Sequence, residues 1–189
     1  MIRDLVVATR SIRRFHQNVP VDQATLRELV DLARLSASAA NAQPLKYMLS
    51  WEPARNARIF PLLAWAGYLK DWPGPVEGER PAGYIVILGD KRLRQSFETD
   101  QGIACQSMLL GATEKGLAGC IIASIQRREL REALAIPEHL EILLVIALGK
   151  PKEKVVLEPV GPDGDIKYWR DADGVHHVPK RALEDVVVG

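Results

Sequence analysis

Glu141–Gly149 reads EILLVIALG, an almost unbroken apolar run with Pro137 shortly before it and Gly149-Lys150-Pro151 closing it. A short apolar run bounded by such breakers is a buried strand, and it falls far short of the ~20 residues needed to span a bilayer. Working back toward the N-terminus, Gln126–Ile136 has the spacing of an amphipathic helix stopped by Pro137, and Gly119–Ser124 (GCIIAS) is a second buried strand. Asp100–Gly116 is a helix apolar on most sides, with Gly116 as its C-terminal stop, and Gly83–Gly89 (GYIVILG) is a third buried strand. Lys46–Trp51 (KYMLSW) reads as a further strand, after the small, polar loop Ser36–Pro44 (SASAANAQP). Asp22 caps a helix carrying Leu26, Leu29, Val30 and Ala33 on one face, and Ile2–Arg10 forms a first helix with Ile2, Leu5 and Val6 together. The tail runs through turn-rich GPDGD and YWRDADGVHHVPKR to β-prone LEDVVVG. Helices and strands mix without strict βαβ alternation, so the fold class is α+β. No linker divides the chain, and residues 1–189 are expected to form one domain.

Composition narrows the function. Of the 189 residues, 47% are hydrophobic and 26% charged, which is ordinary for a globular domain. A net charge of +1, with basic residues spread along the chain, favours neither nucleic acid nor an anionic membrane. The start, MIRDLVVA, lacks a long apolar segment and a small-residue cleavage site, so no secretory signal is expected. Cys105 and Cys120 stand in no CxxC or disulfide-dense pattern, which suits a reduced, cytoplasmic setting.

Several segments read two ways. Arg10–Phe15 (RSIRRF) crowds three arginines and Ser11 together, enough to grip a small anion or simply to make a solvated basic turn between two helices. Ser36–Pro44 offers Ser38, Asn41 and Gln43 to a heterocycle edge, or is a plain loop. Gly116–Ser124 either lays strand-end amides beside a flat ring or is a core strand entry, and Lys180-Arg181 is a second anion contact or surface charge. Read as a helix, Ala57–Trp72 puts Trp65, Tyr68 and Trp72 on one face, as a slot for planar molecules or as core. His176 and His177, adjacent in an extended segment, point to opposite faces, and with no HExxH or CxxC beside them no metal site is expected. No GxGxxG or Walker motif is present, so a permanently bound dinucleotide is not expected.

Together these pieces resemble the nitroreductase family of flavoproteins. Arg10-Ser11-Ile12-Arg13 is similar to its RRSxR motif, and Ser38–Pro44 to its PSxxNxQPW loop. Gly116–Ile122 resembles its GLGTCWI strand entry, Leu148–Pro151 its LGYP stretch, and Pro179–Glu184 its basic C-terminal end. Here Thr9, Ala37 and Leu45 stand where the family often has arginine, proline and tryptophan. The resemblance implies a central, mostly antiparallel sheet flanked by helices in an intertwined homodimer, and an FMN-dependent NAD(P)H oxidoreductase. Its activity would be ping-pong hydride transfer to nitroaromatics, quinones or a related small-molecule acceptor, with NADH or NADPH as transient donor and no catalytic side chain. Arg10, Ser11 and Arg13 would hold the FMN phosphate and ribityl chain, with Lys180 and Arg181 closing over the phosphate. Ile121, Ile122, Ala123 and Ser124 would line the flavin ring, and Ser38 and Asn41 would come from the partner subunit. The chain is shorter than the larger nitroreductases, which makes Ala57–Trp72 a candidate substitute lid. Dehalogenation, enoate reduction, flavin destruction and non-catalytic flavin storage or sensing are the alternatives.

Overall fold

The computed structural model describes residues 1–189. Its centre is a sheet in the order β1 (Leu45–Ser50), β2 (Gly83–Asp90), β4 (Leu140–Gly149), β3 (Ala118–Ile122), with every neighbouring pair antiparallel. Ile85 pairs with Ile146 and Val86 with Val145, and a bulge lies between Ile87 and Leu88. Successive side chains point to opposite faces. Ile85, Ile87, Ile146 and Leu148 therefore meet the helices α2 (Gln23–Leu35) and α4 (Glu98–Glu114). Tyr84, Val86, Val145 and Ala147 pack on the other side with Ile59 of α3 (Pro53–Ile59) and Leu130 and Leu134 of α5 (Arg127–Leu134). Both faces being covered, the central strands are apolar at almost every position, and that is why EILLVIALG lacks alternation.

The helices obey their local signals. Asp22 Oδ1 accepts from the Thr25 amide at 2.8 Å, as an N-cap should. α4 approaches α2 at Gly111, where a Cβ would come within 2.2 Å of Leu32 Cδ1. α1 (Ile2–Ala8) leaves none of its residues buried.

One expectation needs correction. Ala57–Trp72 is not one helix. α3 ends at Ile59, a single 3-10 turn covers Phe60–Leu62, and Leu63 is extended and bridges Ile125. Pro61 has no amide hydrogen to continue the helical ladder, and Ala66 sits at a positive φ of 42°. The β-prone LEDVVVG tail pairs with no strand of its own chain, and Leu183 and Val186–Val188 are exposed. The segment before it does form strands. β5 (Val155–Pro159) runs parallel to β7 (His176–Lys180), which pairs antiparallel with β6 (Trp169–Arg170). His177 secures this small sheet by stacking on Trp169 at 4.0 Å and bonding Glu158 and Asp171, each at 3.0 Å.

Candidate functional site

Past α1, the Thr9 hydroxyl bonds the Leu5 carbonyl at 2.7 Å and shares a 2.8 Å hydrogen bond with Thr113 of α4. The chain then runs beside β3, where the Ile12 amide donates to the Gly119 carbonyl at 3.0 Å. Ile12 and Phe15 turn inward and are buried. Ser11 and Arg13 face outward, into a cavity of about 300 Å³ that Arg10, Tyr168, His176 and Lys180 also line. The Arg-Ser-x-Arg pattern thus reflects a segment bridged to the edge of β3 at Ser11, with its apolar positions anchored and its polar ones presented.

The cavity holds three cationic side chains and no carboxylate. Arg10 Nη2 donates to the Val6 carbonyl at 2.7 Å, and its Nε is buried without a partner. Burial pushes the Arg10 guanidinium below its ordinary value, since the charge loses water without gaining a carboxylate. Arg13 Nη1 donates to the Ser11 carbonyl at 3.3 Å and to His176 Nε2 at 3.4 Å. These acceptors, two backbone carbonyls and one imidazole, carry no charge, so the charge stays available to an anion.

Arg13 and Ile121 also line a second cavity of about 180 Å³. Its walls are Cys120–Ser124 at the end of β3 and Ala64–Gly67 opposite. The Ala64 amide donates to the Ser124 carbonyl at 3.0 Å, which ties the two walls together. Apolar walls beside strand-end amides suit a flat heterocycle.

Arg10, Ser11, Arg13 and Lys180 therefore meet at one end of a cleft and Ile121, Ile122, Ala123 and Ser124 at the other. Arg181 is exposed and lines neither cavity. Ser38 and Asn41 stand elsewhere in the chain: the Ser38 hydroxyl donates to Asp100 at 2.5 Å and accepts from the Gln43 amide at 2.9 Å, and Asn41 bonds Gln43. Of the three aromatics expected on one helical face, only Trp65 lines the smaller cavity beside Cys120–Ser124. Tyr68 rests on Tyr168 with centroids 4.9 Å apart, and Trp72 lies 4.7 Å under the Arg170 guanidinium. Sequence reasoning does not single out Tyr168 and His176 as cleft residues; the available signal is that adjacent histidines on a strand face opposite ways. No group of three or more His, Cys, Asp or Glu stands together to hold a metal. Cys105 and Cys120 are buried, and burial pushes the Cys105 thiol up to about 12.

A sequence model of the nitroreductase family matches residues 6–150. The chain belongs to the nitroreductase family. A Bacillus subtilis protein named "Putative NAD(P)H nitroreductase YodC" is 23% identical over 177 residues, covering 78% of this chain and 88% of its own. Among solved structures, a nitroreductase family protein from Streptococcus pneumoniae superposes with a TM-score of 0.72 at 17% identity, over 100% of both chains. An FMN-dependent nitroreductase from Clostridium difficile gives 0.65 at 21% identity, over 82% of this chain and 89% of that one. Likenesses at this identity establish the fold. For this nitroreductase-family chain, one boundary matters: the match ends at Lys150, so the small sheet β5–β7, with Tyr168, His176 and Lys180, lies outside the matched region while lining its cleft.

Proposed function

We propose that the protein is an FMN-dependent NAD(P)H oxidoreductase that reduces nitroaromatics, quinones or related planar acceptors by ping-pong hydride transfer. One observation carries this reading. An anion pocket with Arg10, Arg13 and Lys180 and no carboxylate continues, through Arg13 and Ile121, into an apolar slot edged by strand-end amides. That donor set fits a ligand with a phosphate at one end and a flat heterocycle at the other, and the buried, unpaired Arg10 Nε fits an anion acceptor nearby. FMN has that shape, and family membership and the neighbour described as FMN-dependent support the choice.

When bound, FMN supplies the two-electron chemistry. The chain's residues bind and orient it. Arg10, Arg13, Ser11 and Lys180 would take the phosphate, and amides along Ile121–Ser124 would stabilise negative charge developing at the ring edge. Trp65 and its neighbours would keep water from one side. NAD(P)H need only visit the open side and leave, in keeping with the B. subtilis relative's name and with the lack of a dinucleotide fingerprint.

The homodimer belongs to the same proposal. Ser38 and Asn41 are remote from the arginines within one chain, so they contribute to a flavin site only across an interface. The exposed Leu183–Gly189 tail and the exposed Ile2, Val6 and Val7 of α1 offer apolar surface for it. The test is the visible spectrum of purified protein under anaerobic conditions. A flavin absorption that NADH or NADPH bleaches and a quinone or nitroaromatic restores is the expected result. Bleaching without restoration by any acceptor would favour a storage or sensing role, and failure to bind FMN would end the proposal.

A further inference from the structure

We propose that His176 of β7 and Tyr168, which leads into β6, both beyond the family-matched region, are positioning residues that set the Arg13 guanidinium for the ligand anion. This rests on the phosphate-bearing cofactor proposed above. The Arg13 guanidinium carbon lies 4.8 Å over the centre of the Tyr168 ring, and Nη1 reaches His176 Nε2 at 3.4 Å. The Tyr168 and His176 rings are themselves 5.1 Å apart, so the residue leading into β6 and the first residue of β7 together hold the cation. Tyr68 leans on Tyr168 from the far wall and keeps that ring in place.

The chemistry of these partners is the point. A carboxylate at position 176 would hold Arg13 more firmly and would cancel its charge. A neutral imidazole and an aromatic face hold it and leave the charge whole for a ligand. Arg13 has no lone pair to offer, so Nε2 must accept, and the imidazole must be neutral with its proton on Nδ1. Burial, then the charges of Arg13 and Arg170, push His176 down to about 4, which keeps it neutral at physiological pH.

Stability alone does not account for an imidazole here. His176 is 1% exposed, and its Nδ1 is buried with no hydrogen-bond partner. A leucine would fill much the same space without leaving a polar atom unsatisfied. A side chain kept at a cost to the fold, and touching the best-placed cation of the cleft, points to a binding role.

The test compares FMN with riboflavin, which lacks the phosphate, by fluorescence titration of the full chain. His176→Leu should weaken FMN binding by about 5- to 10-fold, the worth of one modest hydrogen bond, and leave riboflavin binding within about 2-fold. Its melting temperature should equal or exceed that of the wild type. His176→Gln, which can place an acceptor where Nε2 stands, should restore most of the FMN affinity, and Tyr168→Leu should repeat the selective loss. In an Arg13→Ala background His176→Leu should change FMN affinity less than about 2-fold, because the residue it positions is gone. Equal losses for FMN and riboflavin, or no loss for FMN, would overturn the positioning role while leaving the flavin reading intact. If His176→Leu fails to fold, Tyr168→Leu decides the matter by the same ratio. A wild type that binds FMN no better than riboflavin would instead remove the phosphate assignment, and this inference with it.

Discussion

Gly119→Ala probes the join between the core sheet and the cleft. Gly119 lies in β3 opposite Leu148, and its carbonyl receives the Ile12 amide that lays the arginine segment along the sheet edge. A Cβ there would stand 2.7 Å from the Ala147 carbonyl oxygen, 2.7 Å from Leu109 Cδ2 and 3.0 Å from Leu148 Cδ2. The leucine methyls can swing aside. The carbonyl belongs to β4, which is paired on both sides, so it moves only if the ladder moves. Overpacking of this kind costs roughly 1–3 kcal/mol. For a chain of this size that is a fall in melting temperature of about 2–12 °C. Gly102→Ala is the control, because Gly102 is exposed within α4 and a Cβ there would meet nothing within 4 Å. Removing a helical glycine should stabilise by about 0.5–1 kcal/mol, a rise of roughly 1–4 °C. Differential scanning calorimetry of both variants, with flavin content measured alongside, checks the pair. If Gly119→Ala melts with the wild type and matches it in the proposed FMN binding, the close approach of β3, β4 and the Ser11–Arg13 segment is not what fixes the cleft.

Arg13→Ala should lower FMN affinity by about one to two decades, the worth of a charge-assisted hydrogen bond, with Arg128→Ala, at an exposed position of α5, unchanged in the same equilibrium dialysis. His177, held by Asp171 and Glu158, has its pKa raised, so its ion pairs stabilise the fold fully below about pH 6.5 and weaken as pH climbs through the raised value. The melting-temperature advantage of the wild type over His177→Gln should therefore shrink between neutral and alkaline pH, and a constant gap would argue against the clamp. His176 has the opposite sign, since its lowered pKa withdraws stability as pH falls from about 6.5 toward 4, so His176→Leu should flatten the acid side of the thermal stability profile. Deleting Leu183–Gly189, which is exposed and in no strand, should leave the core's melting little changed while abolishing the proposed dimer; a truncated chain that stays dimeric in sedimentation would refute the interface role.

What could be read from the sequence follows from how local each signal is. The buried strands at Gly83–Gly89 and Glu141–Gly149 announce themselves because both faces are covered, and Asp22 caps α2 through a partner three residues away. The arginine cluster and the Ile121–Ser124 edge are legible as motifs. Ala57–Trp72 misleads because its aromatics repeat at helical spacing, and Pro61 outweighs that spacing. Tyr168 and His176 are harder to see, since their role depends on a contact with Arg13 across most of the chain. The small sheet they sit on has short strands without a strong apolar pattern, so neither period nor composition marks it.

The hydrogen bond from Arg13 to His176 spans 163 positions, and this bears on how the molecule is made. During synthesis at roughly 5–20 residues per second, Arg13 leaves the ribosome about ten to thirty seconds before His176 does. The four strands of the central sheet and their covering helices are all available before β7 appears. The nascent protein can thus collapse around its sheet while the anion pocket still has one side open. On the proposed FMN reading, cofactor loading becomes a late event, reserved for chains whose translation has passed β7, and a prematurely stopped product is expected to fold part of the way yet remain colourless.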